Sequence, residues 1–215
     1  MSEQDSLRIL LVDDHPVVRR GVAGLIVESY SHAVITEVAS GAEALASIQK
    51  EWWDLVILDL TLPDASGLEV LKQIKKAKSN LPVLILSIHP REEFVSRVMA
   101  AGASGYLTKS AAGTELRRAV FRLINGDSYF GDQPLERIAP APGSVDEHPH
   151  ERLSDREYEV LRLIGQGMTV SEIARALTLS VKTVSTYRAR LMTKMDMRTN
   201  ADLVRYAIRT GLSGT

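Results

Sequence analysis

The sequence predicts an α/β chain: a doubly wound, five-stranded parallel sheet, followed by a small all-α unit of four helices containing a helix-turn-helix. Three observations predict it. Five short apolar runs alternate with five helix-spaced segments between residues 7 and 123. Those runs are apolar on both faces, as in a parallel sheet covered by helices on each side. After a proline-rich break, only helical periodicity remains.

The elements follow in order. LRILLV (7–12) is a continuous apolar run. Val17, Val18, Gly21, Val22, Leu25 and Ile26 recur at helical spacing, and Pro16 suits a first helical turn. AVITEV (33–38) reads as a strand and GAEALASIQK (41–50) as a helix. DLVILDL (54–60) is another buried strand, and Leu68, Val70, Leu71 and Ile74 mark a helix. PVLILS (82–87) is the fourth strand, REEFVSRVMA (91–100) a helix, GYLT (105–108) a short strand, and 113–123 a closing helix. From Gly126 to Arg152 the periodicity fades, and four of the eight prolines fall there. The organisation read from this is a first domain over 5–125, a linker over 126–150 and a second domain over 151–215. His148 and His150 flank a proline without a third ligand and read as plain linker.

Beyond the linker, start signals are strong. Ser154 with Glu157, and Thr169 with Glu172, have capping-box spacing. Ser180 and Thr199 stand where they cap two further helices. The chain has no cysteine, which removes disulfides and thiolate metal sites and suits a reducing cytoplasm. The N-terminus lacks a signal-peptide pattern, and no apolar run is long enough to cross a membrane. Net charge is -1, but it is split: residues 151–215 hold 11 Lys+Arg against 7 Asp+Glu, and the remainder holds 15 against 20. A basic end points to nucleic acid and an acidic end to a cation.

In a doubly wound sheet, function sits at the carboxyl ends of the strands. Strand one ends in Asp13-Asp14, strand three in Asp59, strand four in Ser87, and strand five runs into Lys109. Three carboxylates in a small volume repel one another, and a hard divalent cation such as Mg²⁺ relieves this. A hydroxyl and an ammonium opposite them suit the oxygens of a phosphoryl group.

The segments LLVDDHPVVRRG, DLVILDLTLPDASGLEVL, LPVLILSIHP and AGASGYLTKS resemble the signature segments of response-regulator receiver domains, which have the CheY-like fold. The resemblance implies that Asp59 is the phosphoacceptor. It implies that Asp13, Asp14, Asp59 and the backbone carbonyl of Thr61 hold Mg²⁺, that Ser87 and Lys109 contact the phosphoryl group, and that Tyr106 is a switch aromatic. Ser110 stands where many receivers have proline.

In LSDREYEVLRLIGQGMTVSEIARALTLSVKTVSTYRARLMTKM, Ile173, Ala174 and Leu177 mark one buried helix face, and Val184, Leu191 and Met195 the next. No acid occurs from Val181 to Met195. The opposite face carries Lys182, Ser185, Thr186, Ala189, Arg190 and Thr193, with Thr183 at its edge. Small and polar residues there can approach base edges, while Arg188, Arg190 and Lys194 are expected at phosphates. The segment resembles LuxR-type DNA-binding domains across 151–212, with Ser185 and Tyr187 departing from the commonest pattern. The two halves together resemble the NarL/FixJ group of response regulators.

The resemblance implies a transcription regulator, not an enzyme, phosphorylated at Asp59 by a histidine kinase and binding double-stranded DNA as a homodimer. An aspartyl-phosphate phosphatase of the haloacid dehalogenase type needs a second aspartate two positions after Asp59, where Thr61 stands.

Overall fold

The computed structural model describes residues 6–88, 91–131, 149–177, 179–210 and 212. They form two compact units, on either side of the 132–148 stretch. That stretch holds most of the expected linker, with His148, and lies outside the described residues.

The first unit contains β1 (Arg8–Val12), α1 (Pro16–Ser29), β2 (Val34–Val38), α2 (Gly41–Lys50), β3 (Leu55–Leu58), α3 (Gly67–Ala77), β4 (Val83–Ser87), α4 (Arg91–Ala100), β5 (Gly105–Thr108) and α5 (Ala112–Ile124). All five strands are parallel, in the order β2-β1-β3-β4-β5. Alternate strand residues divide the core. Ile9, Leu11, Leu84, Leu86 and Leu107 pack with Val22 and Ile26 of α1 and Leu116, Val120 and Leu123 of α5. Leu10, Val56, Leu58 and Ile85 are equally buried and belong to the opposite face of the pleat. The order reverses between β1 and β3, so the crevice at their carboxyl ends is the topological switch point.

Two details differ from the sequence reading. β2 is an edge strand with Val34 and Glu37 exposed, because no strand covers its outer side. β3 stops at Leu58, although the Asp59 N–H continues the ladder by donating to Val12 O at 2.9 Å.

The expected linker is also shorter at both ends. Tyr129 pairs in parallel with Gly105 on the free edge of β5: Tyr106 N–H donates to Tyr129 O at 2.8 Å and Tyr129 N–H to Ser104 O at 3.0 Å. Tyr129 and Phe130 are buried, so their apolar surface belongs to the first unit. His150 lies in a 3-10 turn, Pro149–Arg152, of the second unit. Its Nδ1 is 2.6 Å from the Tyr206 hydroxyl, and its ring packs on Tyr158 and Tyr206. The plain-linker reading of His150 is therefore corrected: aromatic packing and a hydroxyl partner hold it.

The second unit contains α6 (Asp155–Gly165), α7 (Val170–Ala176), α8 (Val181–Lys194) and α9 (Asn200–Arg209). The expected caps form. Ser154, Thr169, Ser180 and Thr199 each accept an N–H three residues on, and Glu157, Glu172 and Asp202 complete capping boxes. Leu161, Ile173, Val184, Leu191 and Leu203 are fully buried.

Candidate functional site

The acidic site is built by strand ends. β1 delivers Asp13 and Asp14, β3 delivers Asp59, and β5 delivers Lys109. Asp13 and Asp59 are each only 1% exposed. Lys109 Nζ lies 2.7 Å from Asp13 Oδ2 and 2.7 Å from Asp59 Oδ2, tying the two carboxylates together. Asp59 Oδ1 accepts the Thr61 N–H at 3.1 Å, and Asp13 Oδ1 accepts the His15 N–H at 2.8 Å. The Lys109 N–H donates to Ser87 O at 2.7 Å, which sets β5's end beside β4's. Ser87 is fully buried. The structure thus brings Asp13, Asp14, Asp59 and Lys109 together, with Ser87 and Thr61 on the adjoining backbone.

Burial is the dominant influence on Asp59 and pushes its carboxyl from 3.8 to about 6. Lys109 opposes this, Asp13 adds to it, and the Thr61 N–H opposes it. Burial also disfavours the Lys109 ammonium, but the Asp59 and Asp13 carboxylates outweigh it and raise the ammonium above its ordinary range.

This has a measurable consequence. Between pH about 4 and 6 the folded chain keeps a proton that the unfolded chain has released. Stability from this source is present below the unfolded pKa and lost as pH rises through about 6. Asp59→Asn escapes that loss. In metal-free buffer the variant should therefore gain on the wild type as pH rises from 4 to 7, by about 3 kcal/mol at most, since each pKa unit is about 1.4 kcal/mol. Urea unfolding across that range measures it; a difference that stays flat with pH would refute it.

The donor set fits a hard dication. One ligand atom from each of Asp13, Asp14, His15 and Asp59 lies within 4.8 Å of the others. Three carboxylates face a single ammonium, which leaves negative charge uncompensated. Asp14 Oδ1 and Thr61 Oγ1 are buried and make no hydrogen bond. His15 was missed by the sequence reading, although its position directly after Asp14 was the available signal.

Two glycine and loop features position the site. Gly67 opens α3 directly against the backbone of Asp59 and Leu60. Asp64 accepts the N–H groups of Gly41 and Ala42, both at 2.9 Å, at the start of α2. Partial burial raises its carboxyl, but those N–H groups outweigh it and hold it below the usual range. Tyr106 is fully buried in this structure. The residue expected as the switch aromatic is thus packed in the core.

On α8, Val184, Leu191 and Met195 are buried as expected. Lys182, Ser185, Thr186, Ala189, Arg190 and Thr193 are exposed, and Thr183 is half-buried. Lys182, Thr183, Thr186, Tyr187 and Arg190 line a shallow depression of about 300 Å³. The Thr186 hydroxyl donates to Lys182 O at 3.0 Å.

Two expected phosphate contacts are placed differently. Lys194 Nζ donates to Glu157 Oε2 at 2.6 Å. Glu157 is buried in the α6 capping box, so Lys194 compensates an enclosed carboxylate. Arg188, four residues after Val184, falls at the edge of the buried stripe; it is half-buried, with its Nε enclosed.

A parallel five-stranded unit with an acidic switch-point site, followed by a helix-turn-helix unit, defines a phosphoacceptor-plus-DNA-binding class of regulator. Family comparison agrees along the chain. The response regulator receiver domain matches residues 9–121, and the luxR family of bacterial regulatory proteins matches residues 151–207. The chain belongs to the response regulators of the NarL/FixJ type, transcriptional regulators that join a receiver to a LuxR-type DNA-binding domain. Response regulator UvrY of Escherichia coli is 32% identical over 208 residues, covering 96% of this chain and 95% of UvrY. Transcriptional activator protein ExaE of Pseudomonas putida is 38% identical over 208 residues, covering 95% and 97%. Among solved structures, RcsB from Salmonella enterica serovar Typhimurium, bound to promoter rprA in the presence of phosphomimetic BeF3-, is similar with a TM-score of 0.55. It is 26% identical, covering 93% of this chain and 97% of that one. A structure of two RcsB dimers bound to two parallel DNAs has a TM-score of 0.57 at 26% identity, covering 98% and 100%. Among the described residues, no helix is long and apolar enough to cross a membrane.

Proposed function

We propose that Asp59 accepts a phosphoryl group from a histidine kinase and that this controls DNA binding through α8. The observation that carries the reading is the Asp13–Lys109–Asp59 bridge: two buried carboxylates held by one ammonium at a strand-end crevice. An Asp59 carboxylate oxygen attacks phosphorus, the P–N bond to the donor histidine breaks, and its electron pair returns to the imidazole, which takes up a proton. A carboxylate nucleophile gives an acyl phosphate. Asp13, Asp14, Asp59 and the Thr61 carbonyl would hold Mg²⁺, which supplies charge neutralisation for the transferred group. Lys109 supplies positive charge from the protein side, and the Ser87 hydroxyl is the donor for a phosphoryl oxygen. The first unit is then the receiver, the second reads DNA, and the intervening stretch is the linker. The active form is a homodimer on paired half-sites, a reading supported by the RcsB dimers on DNA.

Incubation with acetyl phosphate and Mg²⁺ should add one phosphoryl mass to the wild type and none to Asp59→Asn. Labelling that survives in the variant would move the acceptor elsewhere.

For α8, Arg190→Ala should weaken binding to all DNA sequences and flatten the salt dependence by about one phosphate contact. Lys182→Ala or Thr186→Ala should change sequence preference, by about 1–3 kcal/mol per good base contact. Lys194→Ala should instead lower the melting temperature, because it leaves the buried Glu157 carboxylate uncompensated. DNA-binding titrations at several salt concentrations, with melting curves alongside, separate the three behaviours. Identical behaviour in all the variants would refute the assignment of faces.

A further inference from the structure

We propose that His15 is a nitrogen ligand to the divalent cation of the acidic site, and that it tilts the site toward first-row dications that favour nitrogen donors. The inference rests on the reading of Asp13, Asp14 and Asp59 as the cation site.

The imidazole Nδ1 lies 2.6 Å from Asp14 Oδ1 and 3.3 Å from Asp13 Oδ1. It joins the group of four donor atoms, one per residue, that fall within 4.8 Å of one another. At 2.6 Å the ring nitrogen and Asp14 Oδ1 form a close pair, and a dication can take its place between them. Ligand atoms that share one small ion, each about 2.1 Å from it, stand about 3 Å apart in this way.

The backbone keeps the ring in place. The His15 N–H donates to Asp13 Oδ1, and the His15 carbonyl accepts the Arg19 N–H at 3.1 Å in the first turn of α1. Pro16 follows at once and fixes the helix start. The ring itself is 60% exposed, so no place in the core explains its position, and an ion from solvent can reach it.

The protein ligand set is then three carboxylates, the Thr61 carbonyl and one imidazole. Mg²⁺ prefers oxygen and keeps several waters, so an imidazole adds little for it. Co²⁺ and Ni²⁺ gain from an imidazole and stand higher in the divalent affinity order. Loss of the ring should therefore act on the two classes of ion unequally.

The test is titration of the full chain with Co²⁺ and with Mg²⁺, followed by calorimetry and, for Co²⁺, visible absorption. His15→Ala and His15→Asn should each weaken Co²⁺ roughly tenfold or more and shift its absorption, while Mg²⁺ binding stays within about twofold. Melting in EDTA should match the wild type, because the ring is largely exposed. Equal weakening of both ions would make His15 a residue that only orients the carboxylates, and would overturn the proposal. An unchanged Co²⁺ titration would overturn it as well. Asp13→Asn separates this from the underlying reading: it should weaken both ions. If Asp13→Asn leaves both unchanged, the cation site itself is refuted. If it weakens both and His15→Ala weakens neither, only the role of His15 falls.

Discussion

Gly67→Ala is expected to abolish phosphoryl acceptance and to destabilise the first unit by about 3 kcal/mol or more, as overpacking against immovable backbone does. A β-carbon at Gly67 would collide with the carbonyl oxygen of Asp59 and stand 2.5 Å from Leu60 Cα and 2.9 Å from Leu60 C. None of these atoms belongs to a side chain that could turn away. The Gly67 N–H also donates to Leu60 O at 2.8 Å, so the first turn of α3 is fastened to the segment it would push. Relief requires α3 to withdraw or the Asp59 backbone to shift, and either moves the carboxylate away from Lys109 and Asp13. Urea unfolding and acetyl phosphate labelling check the two halves of this result. A variant that labels at the wild-type rate would show that the segment relaxes without moving Asp59.

Lys109→Met should cost about 2–4 kcal/mol of stability in metal-free buffer at neutral pH, because it leaves Asp13 and Asp59 buried without their cation. Asp59 already titrates at about 6 with Lys109 present. Without the ammonium its carboxyl rises further and takes up a proton near neutrality, which limits the cost. The loss should therefore be smaller at about pH 5.5 than at about pH 7.5. Mg²⁺ should recover part of it, since a ligand bound only by the folded state stabilises that state. Melting curves in EDTA and in Mg²⁺ at both pH values measure this. Equal stability of variant and wild type in EDTA at the higher pH would show that the bridge offsets nothing.

Much of the site was legible because strand ends are legible. The apolar runs 7–12, 54–60, 82–87 and 105–108 mark where chain direction and burial end, and Asp13, Asp59, Ser87 and Lys109 follow from them. The caps were legible for the same reason: Ser154 with Glu157 and Thr169 with Glu172 act within one helical turn. Tyr129 was not, because its strand pairing with Gly105 depends on a free sheet edge that no local pattern announces. His150 looked like linker because its partner, Tyr206, lies 56 residues away.

The sequence by itself determined the order and type of elements, the two-unit organisation and the residues that could carry phosphoryl and DNA chemistry. These depend on periodicity, capping and turn chemistry, which act over a few residues. Tertiary structure alone decided which charges neutralise one another. Lys109 reaches Asp59 across 50 residues, and Lys194 reaches the buried Glu157 across 37. It also decided that Gly67 has no room for a methyl group and that His15 joins the carboxylates. Burial and close approach arise only when distant segments pack, and they set which ammonium is free, which carboxyl holds its proton and which residue must be glycine.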